Sequence, residues 1–192
     1  MRALKTTTRA PKKEQTQTQM RFKFLEATKK CRFIGIDQSL TSTGVVCVDY
    51  NFNVLEAFCI PTNPRSYNEA RLNHIGMCID SLLRKRGTWA YLVAIERPAY
   101  GGSGQRDILA GVFWEIKRRI WCYNDDLNIV DVAISSWKKY ITGNGHASKN
   151  LIKKSIQTRY GRTFDNEDLY DAYGLLRYAA VEWRKTILKE SR

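Results

Sequence analysis

No run of eighteen apolar residues occurs in this sequence, so no transmembrane helix is expected. The opening MRALKTTTRAPKKEQTQTQM lacks the apolar core of a secretory signal. No His-rich cluster, P-loop or GxSxG element is present, so none of those chemistries competes. The five cysteines (Cys31, Cys47, Cys59, Cys78 and Cys122) are odd in number and form no CxxC pair. They read as reduced thiols in a cytosolic compartment, mostly core filler, and not as a zinc site. No internal repeat or second domain is visible. Acid is the scarce charge: 19 Asp and Glu face 32 Lys and Arg, a net +13. Residues 1–32 hold ten of those bases and two acids, a net +8, which leaves +5 for residues 33–192. We expect a basic, disordered arm over 1–32, rich in Thr, Gln and Lys, and one domain over 33–192. The excess charge favours a polyanionic partner. A solubilising tail or a mitochondrial transit peptide are the alternatives for the arm; Glu14, Glu26 and the lysine bias oppose the second.

What is present becomes regular at Phe33. FIGIDQS, TGVVCVDY and FNVLEAFCI read as three strands joined by tight connections, an antiparallel meander. Leu72, Ile75, Ile79, Leu82 and Leu83 recur at helical spacing and predict a helix over 66–86. AYLVAIE, residues 90–96, is nearly all apolar, as expected of a strand covered on both faces. Ile108, Val112, Ile116 and Ile120 mark a helix over 106–123, and LNIVDVAI a fifth strand. Short helices over 135–141 and 148–160 flank the loop TGNGHA, and a last helix runs over 168–189. The order βββαβαβα describes an α/β fold: a mixed five-stranded sheet flanked by helices.

The acids sit in unusual places. Asp37 ends the first apolar run and Glu96 the fourth. Asp168 and Asp171 are three apart, on one face of a helix whose Ala172, Leu175, Leu176, Ala179 and Ala180 must face the core. Carboxylates converging without lysines beside them repel, and divalent cations remove that conflict. Mg²⁺ takes oxygen ligands and keeps waters. Two such ions about 4 Å apart can hold the attacking and leaving oxygens of a phosphodiester displacement. Each acid also has a plainer reading: Asp37 as a turn cap, Glu96 paired with Arg97, Asp168 as an N-terminal helix acid. Asp165 and Asn166 read as helix caps.

FIGIDQSLTSTGVV, VAIERP, GNGHASK and DLYDAYGLL, in this order, resemble the RuvC family of Holliday-junction resolvases, of ribonuclease H-like fold. The likeness spans residues 33–182. It implies that Asp37, Glu96, Asp168 and Asp171 are the four catalytic metal ligands, for two Mg²⁺ ions that Mn²⁺ can replace. It implies a homodimer that nicks two opposed strands of a four-way DNA junction, with no small-molecule cofactor and no membrane. It places the protein in the cytoplasm of a bacterial cell or a phage-infected host. Gln38-Ser39 stand where the family usually has Pro-Gly, and the basic arm is extra, departures that fit a diverged phage or viral member.

Candidate DNA contacts cluster in WKKYITGNGHASKNLIKK. They are Lys138, Lys139, Lys149 and Lys153, with Gly143 and Gly145 giving a phosphate close approach to backbone. Lys149 opens a helix, where a cation opposes the dipole, and a phosphate neighbour would explain it. His146 is a candidate for proton transfer or a phosphate contact. In YGGSGQR, Arg106 suits a DNA backbone and Tyr100 an opened base. Arg118 and Arg119 read as a solvated helix face, and Trp137 and Trp183 as packing. The expected function is Mg²⁺-dependent cleavage of branched DNA. The alternatives are a ribonuclease H-type or flap nuclease and a non-catalytic junction-binding protein.

Overall fold

The computed structural model describes residues 30–98 and 105–190. The arm over 1–29 and Tyr100 lie outside them, as does the side chain of Arg106. Strands β1 (Phe33–Asp37), β2 (Ser42–Val48) and β3 (Val54–Pro61) form the meander read from the sequence. Helix α1 (Asn68–Arg86) leads through a short 3₁₀ turn to β4 (Leu92–Glu96). Helix α2 (Gln105–Tyr123), strand β5 (Asn128–Val132), and helices α3 (Ile134–Thr142), α4 (Lys149–Tyr160) and α5 (Glu167–Glu190) complete the chain. The sheet order is β3-β2-β1-β4-β5. The first three strands pair antiparallel, while β4 and β5 run parallel to β1. The fifth strand is shorter than its apolar run, because Ala133 turns out of the sheet to start α3.

Side-chain alternation divides the core into two layers. Ile34, Ile36, Val45, Cys47, Val93 and Ile95 point to one face and pack under α1 and α2, against Ile75, Ile79, Val112 and Ile116. Phe33, Val46, Val48, Leu92 and Ala94 point to the other, under α3, α4 and α5, against Trp137, Ile152, Leu175 and Leu176. The same alternation puts Asp37 and Glu96 on the α5 face. The parallel register that pairs Ile36 with Ile95 brings them side by side at the carboxyl ends of β1 and β4.

Two glycines let α5 lie close on this face. A Cβ on Gly35 would collide with the Ala172 carbonyl and stand 2.7 Å from the Leu176 Cβ. One on Gly44, the register partner of Asp37, would stand 2.5 Å from the Asp168 carbonyl. The first turns of α5 therefore rest on β1 and β2 beside Asp37. Asn166 caps that start by accepting the Asp168 N–H at 2.8 Å. Among the described residues no helix is long and apolar enough to cross a membrane.

Candidate active site

The four sequence-predicted acids meet at one end of the sheet. Asp37 and Glu96 come from adjacent strand ends, and Asp168 and Asp171 from the first turns of the helix laid over them. Burial pushes the Asp37 carboxyl well above the ordinary range. The negative charges of Glu96, Asp171 and Asp168 push it the same way, against the pull of the Lys149 ammonium. No described residue donates a hydrogen bond to the Asp37 carboxyl. Burial also raises Glu96, opposed by a hydrogen bond from Trp137 and reinforced by Asp171. Asp171, 7% exposed, is pushed up to about 6 by burial, with Lys149 and Lys138 pulling down and Asp168 and Glu167 adding to the rise. This is the signature of anionic groups crowded in a poorly solvated place without enough countercharge.

Two residues that the sequence reading passed over orient the acids. Trp137, fully buried, donates its indole N–H to Glu96 Oε2 at 2.9 Å. Ser42 donates its hydroxyl to Asp168 Oδ2 at 2.8 Å. Each bond fixes one carboxylate oxygen. An apolar stripe on a helix hides the first signal, since Trp137 there looks like packing. The Glu96–Arg97 pairing considered above gives way to the Trp137 bond as the contact that holds Glu96.

The predicted DNA-contacting residues divide. Lys149 Nζ lies 3.4 Å from Asp168 Oδ1 and 3.7 Å from Glu167 Oε2. Burial lowers its affinity for a proton, but the charges of Asp168 and Asp171 outweigh that and raise it. An acid thus explains this cation at the helix start, where a phosphate was expected. Ser148 caps the helix, accepting the Leu151 N–H. Lys138 acts electrostatically on Glu96 and Asp171. Lys139 and Lys153 are exposed on α3 and α4. Gly143 ends α3 at φ +82°, a left-handed cap that glycine adopts without strain. A Cβ on Gly145 would approach the Ser135 carbonyl to 3.1 Å. His146 is exposed and helps line a cavity of about 290 Å³ with Arg97, Pro98 and Ser135. Arg119, read as solvated, instead bridges helices, bonding Glu115 and reaching Asp80 of α1 at 2.6 Å.

The donor set suits a hard divalent cation in kind, being all oxygen and strongly anionic. Among the described residues, no three Asp, Glu, His or Cys side chains stand close enough to enclose one ion. Mg²⁺ is commonly held through one or two carboxylates, with waters and substrate phosphate completing the shell. Asp37 with its strand neighbour Glu96, and Asp168 with Asp171 on the helix, are the carboxylate pairs that would have to hold such an ion.

No protein-family profile matches the chain, and no curated protein does. Solved structures do. The structure of RuvC from Thermus thermophilus matches with a TM-score of 0.67 at 17% identity, over 80% of this chain and 96% of that one. T. thermophilus RuvC in complex with a Holliday junction substrate matches with a TM-score of 0.66 at 17% identity, over 78% and 94%. The chain has a RuvC-like, ribonuclease H-like fold, as its sequence resemblance implied.

Proposed function

We propose that this protein is a divalent-metal-dependent endonuclease that resolves four-way DNA junctions as a homodimer, by paired nicks. The observation that carries the proposal is Asp37. It is a carboxylate at the central strand's end, denied hydrogen bonds and surrounded by three further acids, in a RuvC-like fold. A purely structural site would not gather four acids where burial opposes the charge of Asp37, Glu96 and Asp171.

Asp37, Glu96, Asp168 and Asp171 would hold two Mg²⁺ ions, which Mn²⁺ can replace. Bound there, the metal would supply an activated water and stabilise the charge on the departing oxygen. The chain's own residues do the rest. Trp137 keeps the Glu96 carboxylate oriented and favours its ionised form against burial. Ser42 keeps Asp168 turned to the sheet end. Lys149 and Lys138 lower the electrostatic cost of the cluster and remain available to an arriving phosphate. Lys139, Lys153, His146 and the 143–145 turn lie beyond them on the same two helices and loop, suited to backbone contacts that position without reading sequence. Arg106, in the first turn of α2, and Tyr100, which lies outside the described residues, belong to the proposed interface as sequence expectations.

A twofold pair of such sites matches the near-twofold symmetry of a four-way junction. The exposed face of α2 supports that assembly. Trp114 and Trp121, 55% and 51% exposed, lie on one stripe with Lys117 between them. Exposed paired tryptophans are a costly surface for a monomer.

The proposal is tested with a labelled synthetic four-way junction, a linear duplex and an RNA–DNA hybrid, in Mg²⁺. Wild type nicks the junction; Asp37→Asn binds it and does not cut. Cleavage surviving in Asp37→Asn would remove Asp37 from the chemistry. Preference for the hybrid would identify a ribonuclease H-type enzyme, and tight binding without cutting a junction-binding module.

A further inference from the structure

Arg71 is 8% exposed, yet no carboxylate pairs with it among the described residues. Its Nε–H donates to Thr62 Oγ1 at 2.9 Å, and Nη2 donates to the Leu40 carbonyl at 3.1 Å. Both acceptors are neutral. Among the described residues the cation is therefore uncompensated, and most of its five N–H groups are unused by these two acceptors. A buried charge in that state calls for an anion.

Arg71 lines an open cavity of about 370 Å³ together with Ser39, Leu40, Thr41 and Asn68, with Ile108 and Leu109 as its apolar wall. The topology fixes where this cavity lies. Ser39 is two residues beyond Asp37. Strand β3 runs parallel to β1 and delivers the chain to α1 at that same end of the sheet, and β4 delivers it to α2 there. The cavity is thus next to the acids but on the α1 and α2 side of the loop that carries them.

Its chemistry is that of an anion seat. Helix α1 begins at Asn68 without a side-chain cap, so its first N–H groups are free donors at the positive end of the helix dipole. Ser39 and Thr41 add hydroxyls, 3.1 Å apart. Glu69, the acid of the same turn, does not line the cavity.

We propose that this cavity seats a phosphodiester group of the DNA strand, held by Arg71, the first turn of α1 and the Ser39 and Thr41 hydroxyls. The identity of the anion rests on the nuclease reading above. Arg71 also straps the Leu40 carbonyl, so one loop carries both the phosphate seat and Asp37. Filling the seat fixes the strand's position relative to the acids, which makes Arg71 a positioning residue for cleavage.

The test has two arms, both on full-length protein. In the first, the dinucleotide dTpdT is titrated into ¹⁵N-labelled protein. Saturable shifts of the Leu40, Thr41 and Asn68 amides are expected, and they vanish in Leu109→Trp, which fills the cavity and leaves the Arg71 strap intact. In the second, single phosphates of a four-way junction are replaced by neutral methylphosphonates. One replacement should cost wild type about tenfold in affinity, as for a lost hydrogen bond to a charged group. The same replacement should cost Arg71→Gln and Leu109→Trp less than twofold, their affinity for the unmodified junction being already reduced. Should Arg71→Gln not fold, Leu109→Trp carries the comparison. Absent amide shifts, or a methylphosphonate penalty that persists in both variants, overturns the proposal. Amide shifts without any junction cleavage would overturn the nuclease reading and still support the phosphate seat.

Discussion

At the scale of single residues, the fold crowds four carboxylates and offsets their charge only in part, through Lys149 and Lys138. Burial raises Asp37, Glu96 and Asp171, the last to about 6. A carboxyl raised on folding contributes stability that is fully present below its unfolded value and is lost as pH rises through the folded one. The metal-free protein should therefore lose stability as pH rises from about 4 to about 7, Asp171 alone contributing about 3 kcal/mol across that whole window for a shift of roughly two units. Mg²⁺ should restore the loss, raising Tm at pH 7.5 and hardly at pH 5. Thermal melts across that range, with and without Mg²⁺, check this, and Asp171→Asn should flatten the metal-free profile. A metal-free Tm that climbs from pH 5 to 7 would contradict it. Trp137 gives a second expectation. Trp137→Phe keeps most of the packing and removes the N–H that favours the ionised form of Glu96. The acidic limb of the cleavage profile should move to higher pH, and the rate at pH 7 should fall by about tenfold, the loss of one hydrogen bond to a charge. An unchanged profile would make Trp137 packing alone.

At the scale of elements, Gly35 and Gly44 decide how closely α5 approaches the sheet, and with it where Asp168 and Asp171 stand. Gly44→Ala should push the first turn of α5 off β2. The overpacking costs about 1–3 kcal/mol, and cleavage should fall more than junction binding, as gel shift and nicking assays on one preparation would show. The strand-end acids were legible in the sequence because a period of two and apolar runs place Asp37 and Glu96 at strand ends without any tertiary knowledge. The helical stripes were legible for the same reason. The Trp137–Glu96 bond was not, because it joins residues 41 apart and a buried tryptophan on an amphipathic helix looks like packing. Lys149 suggested a phosphate for a similar reason: its acid partner Asp168 is 19 residues away and reaches it only through the fold. Arg119 looked solvated because its partner Asp80 lies on another helix. The exposed face of α2 yields its own expectation. Trp114→Glu with Trp121→Glu should give a monomer by light scattering and leave unpaired nicks on junctions.

At the scale of the whole molecule, charge and symmetry bear on what the proposed nuclease meets. The net charge of +13 is concentrated in residues 1–32, which hold +8 of it. We propose that this segment adds phosphate contacts without reading sequence. Deleting residues 1–30 should weaken junction binding and make it less steeply salt-dependent, since each lost phosphate contact removes about 0.9 from the slope of log K against log salt. The cleavage rate of the bound junction should be unchanged. Fluorescence anisotropy across a salt series measures the first, and single-turnover cleavage the second. An unaltered slope would leave the arm without a role on DNA.

The most direct test of the central claim is a supercoiled plasmid that extrudes a cruciform, incubated with wild type and with Asp37→Asn in Mg²⁺. Paired nicks across the cruciform made within one binding event convert the circle to a linear duplex carrying symmetric nick positions. The account predicts that linear product for wild type and untouched plasmid for Asp37→Asn. A plasmid left intact by wild type in both Mg²⁺ and Mn²⁺, or a linear product from both proteins, would contradict it.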